Sequence, residues 1–129
     1  MPNPAKSLIV GVSGGIDSAL TSTLSSMTGI ETIAVSMPIT TTSNNTTLSD
    51  VHGMWLKNKF KNANYITVDL TSTYNQFNSV LSKANQNSEL GFANTKSRLR
   101  MVTWYQIEAA QNGIVVGTGN KVEDFGVGF

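Results

Sequence analysis

The sequence predicts an α/β protein built on a doubly wound sheet of parallel strands. Short apolar runs alternate with stretches whose apolar residues recur at helical spacing, the pattern of strand–helix–strand units. The first of these runs is continuously apolar rather than alternating, as in strands covered on both faces. The first of them, Leu8-Ile9-Val10-Gly11-Val12, passes into a glycine turn, Ser13-Gly14-Gly15-Ile16-Asp17-Ser18, and then into an amphipathic segment, Ala19 to Met27. The expected strand order is 3-2-1-4.

Taken in order, Ser7 to Ser13 reads as a buried strand. Leu20, Leu24 and Met27 recur at helical spacing in the first helix, and Gly29 is placed as its C-terminal stop. Glu31 to Met37 is the second strand, ended by Pro38. Thr40 to Thr47 is a polar loop. Thr47-Leu48-Ser49-Asp50 fits a variant capping box, and Leu48, Val51 and Trp55 mark one face of a helix reaching Phe60. Tyr65 to Leu70 is the third strand. Tyr74, Phe77, Val80 and Leu81 define a third helix. Asn87 to Asn94 reads as a loop or loosely helical stretch. The long segment Thr95 to Gln111 is apolar nearly all round, which predicts deep burial. Ile114 to Thr118 is the fourth strand. No repeat or linker appears, so the 129 residues form one domain.

Composition narrows the function. Hydrophobic residues make up 40% and charged residues 13%, so the chain is globular with a surface of Ser, Thr and Asn. A net charge of +1 gives no footprint for nucleic acid. The absence of cysteine excludes disulfides, thiolate metal sites and thiol nucleophiles. No run is long enough to span a membrane, and no signal-peptide core is present. A cytoplasmic location is the expectation.

Two strand ends carry glycine and polar residues: the turn Ser13 to Ser18, and Gly117-Thr118-Gly119-Asn120-Lys121-Val122-Glu123-Asp124. Strand, glycine turn and helix aim backbone N–H groups at a phosphate. The turn lacks the lysine of a GxxxxGK[ST] loop and carries Asp17 instead. A carboxylate beside phosphates makes sense with a metal ion between them. In an open α/β sheet, ligands bind beyond the carboxyl ends of strands where the order reverses. Strands one and four would then face one crevice, where Asp17 and Glu123 could share one Mg²⁺. Taken alone, Glu123 and Asp124 read as solvated acids at a helix start, and the turn as a plain connection.

A third cluster is Asn94-Thr95-Lys96-Ser97-Arg98-Leu99-Arg100. Cations at a helix start oppose its dipole, so an anion nearby is implied. Arg98 and Arg100 lie about 200° apart round a helix, so one is functional and the other structural or dimer-facing. Asn94 and Arg98 share a face if the helix starts early enough. A solvated basic turn is the blander reading. His52 has no second ligand and reads as a packing or surface residue. Lys57, Lys59 and Lys61 read as a solvated helix end. Met27, Met37, Met54 and Met101 read as core, with Met37 a candidate to pack on an adenine ring.

Together and in this order, the segments Gly11 to Ser18, Asn94 to Met101 and Val116 to Phe129 resemble the NAD synthetases, which belong to the SGGxDS ATP pyrophosphatases. The resemblance implies an adenine nucleotide alpha hydrolase-like, Rossmann-like sheet. It also implies a reaction: ATP adenylates the nicotinate carboxylate of deamido-NAD⁺ with release of pyrophosphate, and ammonia then gives NAD⁺ and AMP. By the same resemblance Gly11, Val12, Ser13, Gly14, Gly15, Ile16, Asp17, Ser18 and Thr118 contact ATP. Asp17 and Glu123 hold Mg²⁺, Arg98 contacts deamido-NAD⁺ with Asn94 beside it, and no side-chain nucleophile is needed. A homodimer is also implied, as is a continuation after Phe129 with a segment of the form FTKYGDGG and further strands and helices, which would make the domain in residues 1–129 incomplete at its C-terminal side. Two other readings are a nucleotide-binding module without activity and another SGGxDS enzyme, GMP synthetase-like or tRNA-modifying.

Overall fold

The computed structural model describes residues 6–13, 15–39 and 48–117. Along them run β1 (Ser7–Gly11), α1 (Ile16–Met27), β2 (Glu31–Ser36), α2 (Leu48–Lys59), β3 (Ala63–Thr67), α3 (Thr71–Lys83), α4 (Glu89–Ala110) and β4 (Gly113–Val116). The strands form one parallel sheet in the order β3-β2-β1-β4, as the sequence predicts. Ile9 of β1 lies opposite Ile33 and Val115, and Ala34 of β2 lies opposite Tyr65.

The central strands account for the apolar runs. Ile9, Val10, Ala34 and Val35 are fully buried because both faces of the sheet are covered. On one face Ile9, Ile33, Val35, Met37 and Leu70 form a core with Leu99, Trp104 and Ile107 of α4. On the other, Val12, Ala34, Leu56 and Ala63 pack with Phe60 and Tyr65. There α2 crosses close to β3: a Cβ on Gly53 would collide with the Tyr65 ring, whose hydroxyl donates to Asp50 Oδ1 at 2.5 Å. Gly29, with φ of 81°, ends α1 in the left-handed region that glycine tolerates.

Several expectations are corrected. β3 runs from Ala63 to Thr67, earlier than Tyr65 to Leu70, because its register against β2 begins at Thr32 opposite Ala63. Of the two readings of Asn87–Asn94, loop or helix, the helical one holds from Glu89 onward. Ser88 caps a helix that starts at Glu89, its Oγ accepting from Gly91 N–H at 3.1 Å. α4 is not deeply buried: Met101, Val102 and Tyr105 are exposed on its outer side, because only one side meets the sheet.

The helix α1 meets the sheet with small polar residues. Ser18, Ser22, Ser25 and Ser26 face inward, while Ile16, Leu20, Leu24 and Met27 are exposed. Small side chains let the helix approach the sheet closely. Three of these hydroxyls donate to carbonyls three or four residues back: Ser18 Oγ to Gly15 O at 3.2 Å, Ser22 Oγ to Ala19 O at 3.0 Å and Ser26 Oγ to Ser22 O at 2.9 Å. α2 follows suit, burying Ser49, Gly53 and Leu56 and exposing Leu48, Val51 and Trp55. Of the four methionines read as core, Met37 alone is buried. His52 packs as expected. Its Nε2 lies 2.7 Å from Ser22 Oγ, its ring stacks on Trp55, and burial lowers its pKa from the ordinary value. Lys57, Lys59 and Lys61 are exposed, as expected of a solvated helix end. Among the described residues no helix is long and apolar enough to cross a membrane.

Candidate functional site

The turn between β1 and α1 is shaped by its own serines. Ser18 is buried on the first turn of α1, and its Oγ accepts from Ser13 N–H at 3.2 Å and donates to Gly15 O at 3.2 Å. Ser13 Oγ lies 3.3 Å from Ser18 Oγ and accepts from Gly15 N–H at 3.3 Å. The turn is therefore closed by side chains within itself. Val12 is the last residue tied to the sheet, its N–H donating to Val35 O at 2.8 Å.

The first N–H groups of a helix have no intrahelical partner, and the helix dipole makes that end favourable for an anion. In α1 Ala19 N–H donates to Gly15 O at 3.1 Å, and the N–H groups of Ile16, Asp17 and Ser18 have no backbone acceptor among the described residues. Asp17 is exposed in that first turn. This rim stands at the carboxyl end of β1, between β2 and β4, where the strand order reverses.

Behind the turn, a Cβ on Gly11 would come within 3.8 Å of the Met37 methyl and the Trp104 ring, which lie beside it. Trp104 Nε1 donates to Ile9 O at 3.0 Å, which fixes α4 against β1. One turn earlier, Arg100 Nε donates to Met37 O at 2.8 Å; its guanidinium is half-buried, and burial lowers its pKa from the ordinary value. Sequence reasoning gives Trp104 no part here, and it gives the ligand contact to Arg98 and a structural or dimer-facing role to Arg100. The signal available was the four-residue spacing of Arg100 and Trp104, which puts both on one face of a helix.

The other side of α4 carries an open groove of about 570 Å³ lined by Arg98, Met101, Val102, Tyr105 and Gln106. The two arginines thus face opposite ways, as their spacing predicts. The argument from a basic helix start falls away, since α4 begins at Glu89 and both arginines lie in its middle. Its early start puts Asn94 and Arg98 within one helix, on one face.

The structure therefore gathers Gly11, Val12, Ser13, Gly15, Ile16, Asp17, Ser18 and Met37 at the carboxyl ends of β1 and β2. Asn94 and Arg98 belong to the outer face of α4. Gly14, Thr118 and Glu123 lie outside the described residues. Among the described residues no three His, Cys, Asp or Glu side chains cluster as a metal site.

The model of the NAD synthase family matches residues 2–129. The chain belongs to the NAD synthase family. It is 35% identical over 122 residues to the NH(3)-dependent NAD(+) synthetase of Carboxydothermus hydrogenoformans, covering 92% of this chain and 48% of that protein. The Mycoplasma genitalium enzyme of the same name is 36% identical over 121 residues, with 92% and 47% covered. The chain thus spans about half the length of the curated relatives it matches. Among solved structures, the NMN synthetase of Francisella tularensis superposes with a TM-score of 0.74 at 30% identity, covering 98% of this chain and 50% of that one. The glutamine-dependent NAD+ synthetase of Acinetobacter baumannii, solved with ADP, gives 0.77 at 26% identity, with 96% and 23% covered. These likenesses agree with the parallel sheet and its strand order.

Proposed function

We propose that this chain carries the ATP-binding part of an ammonia-dependent NAD synthase. ATP adenylates the nicotinate carboxylate of deamido-NAD⁺, pyrophosphate leaves, and ammonia displaces AMP to give NAD⁺. The observation that carries this reading is the serine-closed turn at the reversal of strand order, in a chain that the NAD synthase model matches throughout. Its free N–H groups suit a phosphate chain, and its preformed shape costs little reorganisation as charge develops on the leaving pyrophosphate.

Mg²⁺ fits this reading. Asp17 is exposed at the rim and offers a hard oxygen donor beside the phosphate position; one or two carboxylates with phosphates and water commonly hold the ion. Asp17, with Glu123 as second carboxylate, would hold it, and the ion would neutralise charge on the pyrophosphate. Met37 and Gly11 form the floor on which the adenosine would lie, with Thr118 as a further ATP contact. Arg98 and Asn94, on the outer face of α4, would meet deamido-NAD⁺, and a homodimer would bring a second chain to that face.

The decisive assay is NAD⁺ formation from deamido-NAD⁺, MgATP and ammonia, with nicotinate mononucleotide as a parallel substrate. NAD⁺ formation supports the proposal. Turnover of the mononucleotide alone favours the reading suggested by the Francisella relative's name. MgATP binding without turnover of either substrate favours a nucleotide-binding module.

A further inference from the structure

The inner face of α4 holds a cation that the reading above leaves unused. Arg100 is half-buried at the carboxyl end of β2, and its Nε is committed to Met37 O, immediately after that strand. Met37 and Trp104 both pack on Gly11, so the guanidinium is anchored beside the base of the turn. Among the described residues Met37 O is its one hydrogen-bond partner, and no carboxylate pairs with it. A half-buried charge with no counter-ion among the described residues favours an anion beside it, and an arginine so placed retains its two Nη groups as a planar fork. Arg98, on the opposite face of the helix, cannot supply that charge to the crevice.

We propose that Arg100 is a phosphate contact of the crevice, its Nη groups donating to a phosphate of the bound nucleotide while Nε holds Met37 O. The inference rests on the nucleotide reading of the turn and adds a residue that this reading gave to structure alone. Met37 O fixes the orientation of the fork before the ligand arrives, so less side-chain freedom is lost on binding.

Calorimetric titration of the chain and of Arg100→Ala with MgATP, inorganic pyrophosphate, adenosine and deamido-NAD⁺ tests it. A lost charge-assisted fork predicts roughly 10- to 100-fold weaker binding of the phosphate ligand, with adenosine unchanged. Weaker MgATP and pyrophosphate binding assigns the contact to ATP. Weakening confined to deamido-NAD⁺ assigns it to the dinucleotide's phosphates. A lowered melting temperature with every affinity unchanged overturns the proposal and leaves Arg100 a strut between α4 and β2. If Arg100→Ala does not fold, Arg100→Lys keeps the charge but loses the fork. It should still weaken the phosphate ligand several-fold, and unchanged affinity refutes the contact. A parent chain that binds none of the phosphate ligands refutes the nucleotide reading itself, whereas a parent and variant that bind alike refute only Arg100.

Discussion

α1 and α4 both lie on β1, on opposite faces of the sheet, and they meet it with opposite chemistry. α4 inserts Leu99, Trp104 and Ile107 into a core of large apolar side chains. α1 inserts four serines and turns Ile16, Leu20, Leu24 and Met27 outward. The difference separates two tasks. Apolar burial anchors α4, and with it the position of Trp104 beneath Gly11. Close approach and hydroxyl hydrogen bonds seat α1, so that its first turn presents Ser18 to the loop and its N–H groups to the rim. Stability should therefore reside on the α4 side, and precision of the loop on the α1 side.

The contrast can be broken first at Trp104. Trp104→Ala removes the packing on Gly11 and the bond to Ile9 O, and should cost about 3 kcal/mol in denaturant unfolding. A loss under about 1 kcal/mol would mean that α4 is not the anchor. Next comes Ser22, fully buried where α1 meets α2. Ser22→Leu puts an apolar side chain on the inward face, yet overpacking predicts a loss of about 2 kcal/mol. A stabilised variant would show that the serine face is not tightly fitted.

His52 sharpens the same seam. Burial lowers its pKa in the folded chain from the ordinary 6.5, so the unfolded chain takes up the proton more readily. The unfolding free energy should therefore fall as pH drops below about 6.5, and His52→Asn should flatten that dependence in urea titrations between neutral and mildly acid pH. The smallest effect is expected on the outer side of α1. Leu24, 53% exposed, should tolerate Leu24→Ala within about 0.5 kcal/mol, checked by thermal melting.

These faces also mark how far the sequence could be read. Apolar runs named all four strands, and the glycine turn located the site, because both signals are local. Which side of α1 turns inward was not legible. Ser18, Ser22, Ser25 and Ser26 recur with the same helical period as Leu20, Leu24 and Met27, and a period defines stripes without choosing between them. The start of α4 was hidden by the polar run Asn87 to Asn94, although Ser88 and Glu89 carry the capping signal. The opposed directions of Arg98 and Arg100 followed from their spacing. Which of them meets the crevice depended on Met37, 63 residues before Arg100 in the chain. The Trp104 bond to Ile9 spans 95 residues and had no local sign.

The central claim is that the turn from Ser13 to Ser18 holds the phosphates of a nucleotide. Calorimetric titration of the chain with MgATP tests it most directly. The account predicts saturable binding that inorganic pyrophosphate displaces and that Ser18→Ala weakens roughly tenfold, the effect of losing about 1.4 kcal/mol of loop-closing hydrogen bonds. Heat of dilution alone at millimolar MgATP, or binding that Ser18→Ala leaves untouched, would contradict it.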